Sequence, residues 1–127
     1  MFDHVEFHVQ SFEKSLRFYS SCLPKLGYKA LFTNEKNKSF GFGSKDWTEF
    51  LLTEGTPTMP KLHIAFRATS EDQVNEFYQN AISNGGVCNG PPGYRKDYHS
   101  GYYAAFILDP DGHNVEALYR AWLFEER

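Results

Sequence analysis

Apolar and polar residues alternate at the start of the chain, in the stretch DHVEFHV, and after Ser11 the apolar residues recur at spacings of three and four. The first pattern has the two-residue period of a half-buried strand, the second the period of an amphipathic helix. Phe12, Leu16, Tyr19 and Leu23 carry the apolar face of that helix. The same succession returns from position 63, as HIAFRA followed by SEDQVNEFYQNAISNGG, with Val74, Phe77, Tyr78, Ala81 and Ile82 on the apolar face. Ser11 and Ser70 stand at N-cap positions, Ser70 with Gln73 has capping-box spacing, and Gly27 and Gly86 are expected to end the helices in the left-handed conformation. Pro24 predicts a distorted last turn in the first helix.

Residues 4–27 and 63–86 match without gaps at a constant offset of 59, position 63 less position 4. His4 falls on His63, Phe7 on Phe66, Ser11 on Ser70, Phe18 on Phe77, Tyr19 on Tyr78 and Gly27 on Gly86. An internal repeat of this kind means one supersecondary unit used twice. Each half continues in strand-like segments broken by turn residues: YKALFT, KSFGFG and TEFLLT, then VCN, YYAAFIL and NVEAL. The expected architecture is α+β, two tandem βαβββ modules forming an open half-barrel sheet around a central site. Module one covers about 1–55, module two about 61–119, and a C-terminal tail 120–127. The intervening GTPTMP is too short and turn-rich for a flexible linker, so 1–127 is expected to fold as a single domain. The tail YRAWLFEER reads as a short helix that sets Trp122 and Phe124 on a partner surface or back on the core.

Composition narrows the classes. Twelve Phe and eight Tyr in 127 residues, with 41% hydrophobic residues overall, are enough for one core. A net charge of −3, with acids and bases interspersed, gives no electrostatic footprint for nucleic acid or an anionic membrane. Neither a basic leader with an apolar core nor an apolar run of bilayer length is present, so the expected location is cytoplasmic. Cys22 and Cys88 form no CxxC pair and are expected to be reduced, with Cys22 on the buried side of its helix.

Strand alternation puts His4, Glu6 and His8 on one face of the first strand, and His63, Ala65 and Arg67 on one face of its repeat. Glu116 shares a face with Asn114 on the last strand. Two imidazoles and a carboxylate directed at one concave surface carry a desolvation cost unless something pairs with them. They form a ligand set suited to one divalent metal, Zn, Ni, Mn, Fe or Co, with open positions for water and substrate. A lone strand histidine is more often a packed residue; the repeat-equivalence of His4 and His63 favours ligation. Glu6 is a candidate for orienting a water or accepting a proton, while His8 and Arg67 face the same bowl. The segment PPGYRKDYHSGYY reads as a lid, whose Tyr94, Tyr98, His99 and Tyr102 suit donation to a substrate and whose Arg95 or Lys96 suits an anionic group. Tyr103 and Phe106 are expected in the core or the site wall, and His113 at the surface.

The opening DHVEFHVQSFEKSLRFY with the LGY that soon follows, the LHIAF strand and AAFILDPDGHNVEAL together resemble the vicinal oxygen chelate superfamily. That group includes glyoxalase I, fosfomycin-resistance proteins, extradiol ring-cleaving dioxygenases and bleomycin-binding proteins. The resemblance covers residues 2–119, and its most specific element is the DPDG turn with the Glu that follows. It implies paired βαβββ modules, a homodimer, a small-molecule substrate with vicinal oxygens, and a metal on His4, His63 and Glu116. Glu116, Glu6 and Tyr98 become the candidate catalytic groups, and His8, Arg67, Tyr94, His99 and Tyr102 the candidate substrate contacts. Glyoxalase I has a fourth protein ligand on the last strand of module one. Aligning Phe40 with Phe106 puts Phe50 there, which cannot ligate, and a one-residue slip would substitute Glu49. The expected activity is metal-dependent lyase or isomerase chemistry. The alternatives are a dioxygenase or antibiotic-modifying transferase on the same triad, and a non-catalytic bleomycin-like binding protein.

Overall fold

The computed structural model describes residues 1–124; the last three residues of the expected tail helix lie outside the described residues. Module one runs β1 (Val5–Val9), α1 (Phe12–Cys22), β2 (Lys29–Asn34), β3 (Ser39–Gly43) and β4 (Phe50–Glu54). Module two runs β5 (His63–Arg67), α2 (Glu71–Ser83), β6 (Val87–Tyr94), β7 (Tyr102–Leu108) and β8 (Asn114–Arg120). The α+β class and the tandem βαβββ modules are as the sequence predicts. Among the described residues, no helix is long and apolar enough to cross a membrane.

Both helices start as their caps dictate. The Ser11 hydroxyl accepts from the Lys14 amide and the Ser70 hydroxyl from the Gln73 amide, each relieving one orphan donor of a first turn. Gln73 reaches back one residue further than a capping box requires, taking the Thr69 amide at 2.8 Å. Pro24 turns the end of α1 into a 3₁₀ segment, Leu23–Leu26, which stops at Gly27 with φ 91°.

The second helix ends differently from the repeat alignment. Its left-handed residue is Gly85, φ 98°, not Gly86. Gly86 is required for space: a Cβ there would lie 2.6 Å from Ile107 Cγ2, 2.7 Å from the Ala81 carbonyl oxygen and 2.7 Å from Phe18 Cε1.

The strands form two four-stranded mixed sheets, ordered β1-β4-β3-β2 and β5-β8-β7-β6, with β1–β4 and β5–β8 parallel and the other pairs antiparallel. Neither closes on itself. Each module thus contributes one open sheet, consistent with the expected open half-barrel, and what the modules share is a core. Phe7, Val9, Phe40, Phe42, Phe50 and Leu52 from the first sheet join Ala105, Ile107, Val115 and Ala117 from the second in one buried cluster with α1 and α2. Phe50 meets Phe66 edge-on across the modules, ring centroids 5.2 Å apart.

The DPDG turn locks the two halves together. Asp109, buried, accepts a 2.6 Å hydrogen bond from the Tyr19 hydroxyl on α1 and, with its other oxygen, caps the amides of Asp111 and His113. The Asp111 carboxylate accepts from the Gln10 amide. His113, expected at the surface, is fully buried: its Nδ1 accepts from the Leu62 amide at 2.8 Å and its ring stands edge-on to Phe7. Trp122 folds back within the chain, its ring 3.9 Å from that of His99, while Phe124 stacks on Tyr119.

Candidate metal and substrate site

Because both sheets give their apolar faces to the common core, their other faces turn outward. On the second sheet, alternation from the buried Val115 and Ala117 puts Asn114, Glu116 and Leu118 outside, beside His63, Ala65 and Arg67 of β5 and Tyr102, Ala104 and Phe106 of β7. Glu116 is only 2% exposed. A buried carboxylate needs partners, and it has two. One oxygen lies 2.7 Å from Nε2 of His63, and the other accepts a short hydrogen bond from the Tyr102 hydroxyl. Burial, reinforced by the neighbouring Glu116, pushes the Tyr102 phenol well above its usual range, so Tyr102 remains a donor at any physiological pH. The Tyr102 hydroxyl is therefore committed to Glu116.

Around His63 the face opens into a recess of about 400 Å³, lined also by Asn89, Arg95, Tyr98, Phe106 and Asn114. Phe106 presents its ring edge-on to His63, and the Arg95 guanidinium lies over that ring, 5.2 Å from its centroid. The loop after β6 is folded, not trailing: Arg95 donates its amide to Tyr102, and the Arg95 carbonyl receives the amides of Tyr98 and His99. Tyr98 is exposed and stands edge-on to Tyr102. His99 is held by Trp122 and the Ser100 carbonyl.

The outward face of the first sheet carries His4, Glu6 and His8. His4 lies just before β1, with Nδ1 donating to Asp3 at 2.7 Å; the same Asp3 oxygen accepts from the Trp47 indole at 3.0 Å. Both bonds favour the ionised carboxylate and hold Asp3 below its ordinary value. A proton fixed on Nδ1 leaves the lone pair of a neutral imidazole on Nε2, the usual way a carboxylate prepares a histidine for a metal. The recess here is lined by Phe32, Asp46, Trp47, Thr48 and Leu51 along with His4. Glu6 and His8 are exposed on the same face.

His63 and Glu116 therefore converge and His4 does not join them in one chain: among the described residues no three His, Cys, Asp or Glu side chains come together as a metal site. Strand register also resolves the fourth position. Ala65 pairs with Glu116 as Glu6 pairs with Leu51, and Phe106 pairs with Glu116 as Gly41 pairs with Leu51. The module-one equivalent of Glu116 is Leu51, one residue beyond the Phe50 expected from aligning Phe40 with Phe106. Glu49 stands just before β4 in a cleft it shares with Asp3 and His4, but its carboxylate is bound to the amide and hydroxyl of Ser44. Tyr94 also departs from the expected set. It pairs with Tyr103 on the inner face and donates to Glu71 of α2, away from His63 and Glu116. Arg67 shares the outward face of His63 and is exposed.

The donors present fit a divalent metal. The His63 imidazole nitrogen and the Glu116 carboxylate oxygen stand at hydrogen-bond distance, 2.7 Å, and would part to about 3.0–3.4 Å as two ligands on one ion with bonds near 2.1 Å. Asp3 and Trp47 escaped the sequence reading, although the adjacency of Asp3 to His4 was visible. The commitment of Tyr102 to Glu116 was not, since it depends on the β7–β8 register.

The family model for the Glyoxalase/Bleomycin resistance protein/Dioxygenase superfamily matches residues 1–117. Among solved structures, a glyoxalase/bleomycin resistance protein from Albidiferax ferrireducens T118 is 34% identical, with a TM-score of 0.76 over 94% of this chain and 99% of that one. A glyoxalase-related enzyme from Fulvimarina pelagi shares the fold at 18% identity and TM-score 0.69, over 95% of this chain and 88% of that one. The fosfomycin resistance protein FosX from Listeria monocytogenes does so at 18% identity and TM-score 0.68, over 94% and 92%. No curated protein matches the chain. The repeat, the paired modules and this match over nearly the whole length agree: the chain belongs to the Glyoxalase/Bleomycin resistance protein/Dioxygenase superfamily.

Proposed function

We propose that the protein is a metal-dependent enzyme of glyoxalase type, a lyase or isomerase acting on a small molecule with vicinal oxygens. The observation that carries this reading is the pairing of His63 with the buried Glu116, together with a repeat-equivalent His4 whose Nδ1 is already tied to Asp3. His63 and Glu116 of one chain and His4 of a second copy would hold the metal. A homodimer as the source of the third ligand is argued from the described residues, among which His63 and Glu116 find no third His, Cys, Asp or Glu donor within one chain.

A bound divalent metal supplies Lewis acidity to two neighbouring substrate oxygens. The chain's own groups do the rest. Tyr102 holds Glu116 in one orientation, so that a single oxygen is presented beside His63. Glu6, exposed on the face of His4, is the candidate to take a proton from the substrate. Tyr98, exposed at the rim of the recess, is the candidate to return one.

A second reading, ligand sequestration without catalysis, draws support from Phe32, Trp47 and Leu51 beside His4, an apolar surface suited to a flat ligand.

The experiment is metal analysis of wild type, His4→Ala and Glu116→Ala, followed by mixing of the two variants under conditions that exchange chains. Wild type is expected to bind metal stoichiometrically and each variant to lose it; a mixed dimer regains one intact site and about half the metal. Absence of metal from wild type after reconstitution would overturn the enzyme reading in favour of sequestration. Failure of mixing to restore metal would overturn the shared site.

A further inference from the structure

The recess beside His63 has a second polar wall that the metal reading does not use. Arg95 is held there by three contacts. Its Nη2 donates to the Pro91 carbonyl at 2.6 Å, its guanidinium covers Phe106, and it lies against two glycines of β6. A Cβ on Gly90 would come within 3.3 Å of Nη2 and one on Gly93 within 3.1 Å of Nη1, so the bare backbone is what lets the guanidinium lie flat. Arg95 has no carboxylate partner among the described residues, and no acidic side chain lines the recess. Its neighbours there are the amides of Asn89 and Asn114 and the hydroxyl of Tyr98. The Asn114 side-chain oxygen is buried without a hydrogen-bond partner, and a half-turn of the amide would offer its NH₂ instead.

A fixed, half-buried guanidinium with unused N–H groups, flanked by neutral donors and by no acid, has the chemistry of an oxyanion subsite. We infer that this recess binds the anionic end of the ligand, a carboxylate or a phosphate-like group, while the neighbouring oxygens of the same molecule face His63 and Glu116. The substrate is then an anion. Its identification as substrate rests on the metalloenzyme reading; the subsite itself does not.

The test uses the full chain, freed of metal by chelator, with inorganic phosphate as probe at low ionic strength. Side-chain ¹⁵N signals of Arg95, Asn89 and Asn114 are followed in wild type, Arg95→Gln and Arg95→Lys. Saturable shifts are expected in wild type, weakened by about tenfold or more in Arg95→Gln and by less in Arg95→Lys, which keeps the charge. Backbone spectra that match wild type outside the recess verify that the variants are folded. Absence of saturation in wild type, or equal affinity in Arg95→Gln, overturns the inference. Metal content, measured on the same variants after reloading, separates the two readings. Phosphate bound at Arg95 by a chain that takes no metal supports the subsite and removes the metalloenzyme; metal bound by a chain indifferent to phosphate removes the subsite alone.

Discussion

Tyr19 on the first helix donates a 2.6 Å hydrogen bond to Asp109, ninety residues further along, inside the core that the two modules share. Burial raises the Asp109 pKa above its ordinary value, against the lowering effect of the bonds from Tyr19 and His113. Tyr19→Phe should cost about 2 kcal/mol, because it leaves a buried carboxylate oxygen without its donor. Urea denaturation measures this.

The pH dependence follows from the same pair. An acid whose folded pKa lies above its unfolded value binds more protons when folded, so its contribution to stability falls as pH rises from the ordinary aspartate value through the raised one. Below that window the penalty of burying the charge is absent. Asp109→Asn should remove this component of the stability–pH curve. An unchanged curve in the variant would contradict the assignment.

The two glycines that follow α2 should respond differently to alanine. Gly85→Ala places a Cβ in open space at φ 98°, a backbone strain of about 1 kcal/mol. Gly86→Ala drives a Cβ into Ile107, Phe18 and the Ala81 carbonyl, and should cost about 1–3 kcal/mol, the larger loss of the two. Thermal melts of the pair rank them directly.

At the proposed metal site, Asp3 should act on a ligand without touching the ion. Asp3→Asn frees the His4 ring and should lower metal affinity by about 10- to 100-fold, with fold stability unchanged because Asp3 is exposed. Tyr102→Phe should weaken affinity in the same way through Glu116. Chelator competition reads both, and affinities equal to wild type would show that neither residue positions a ligand.

Leu51 occupies the register position of Glu116 in module one. Glu49→Gln should therefore leave metal affinity unchanged, while Leu51→Glu should raise it by adding a fourth donor on the face of His4. The opposite ranking would restore Glu49 as a ligand.

Much of this was legible in the sequence because it rests on period and repetition. The 59-residue offset of His4 on His63 correctly set out both strand–helix units, and alternation put Phe7 and Val9 inward and Glu6 and His8 outward. What escaped depends on how separate segments come together. Gly86 aligns with Gly27, yet a 3₁₀ turn after Pro24 lengthens only the first helix end, so the left-handed residue is displaced to Gly85. His113 follows a polar turn and reads as surface, but the turn docks against Gln10 and Tyr19 and carries it inside. Tyr94 sits among loop-like Pro and Gly residues, yet it pairs with Tyr103 and so faces α2. The fourth ligand position missed by one residue, because a match of Phe40 with Phe106 follows residue type where register follows backbone pairing.

The interlock between the turn and the first helix also bears on how the chain is made. Module one is complete in sequence at Glu54, but the Tyr19 hydroxyl and the Gln10 amide find their partners only at Asp109 and Asp111. A polypeptide leaving the ribosome would carry its first half with an aromatic face uncovered until module two emerges, since Phe18 and Phe50 pack against parts of it. Translation that stalls before residue 109 would thus leave a finished set of strands without a finished core, a species suited to chaperone capture or to pairing with the wrong half of another chain.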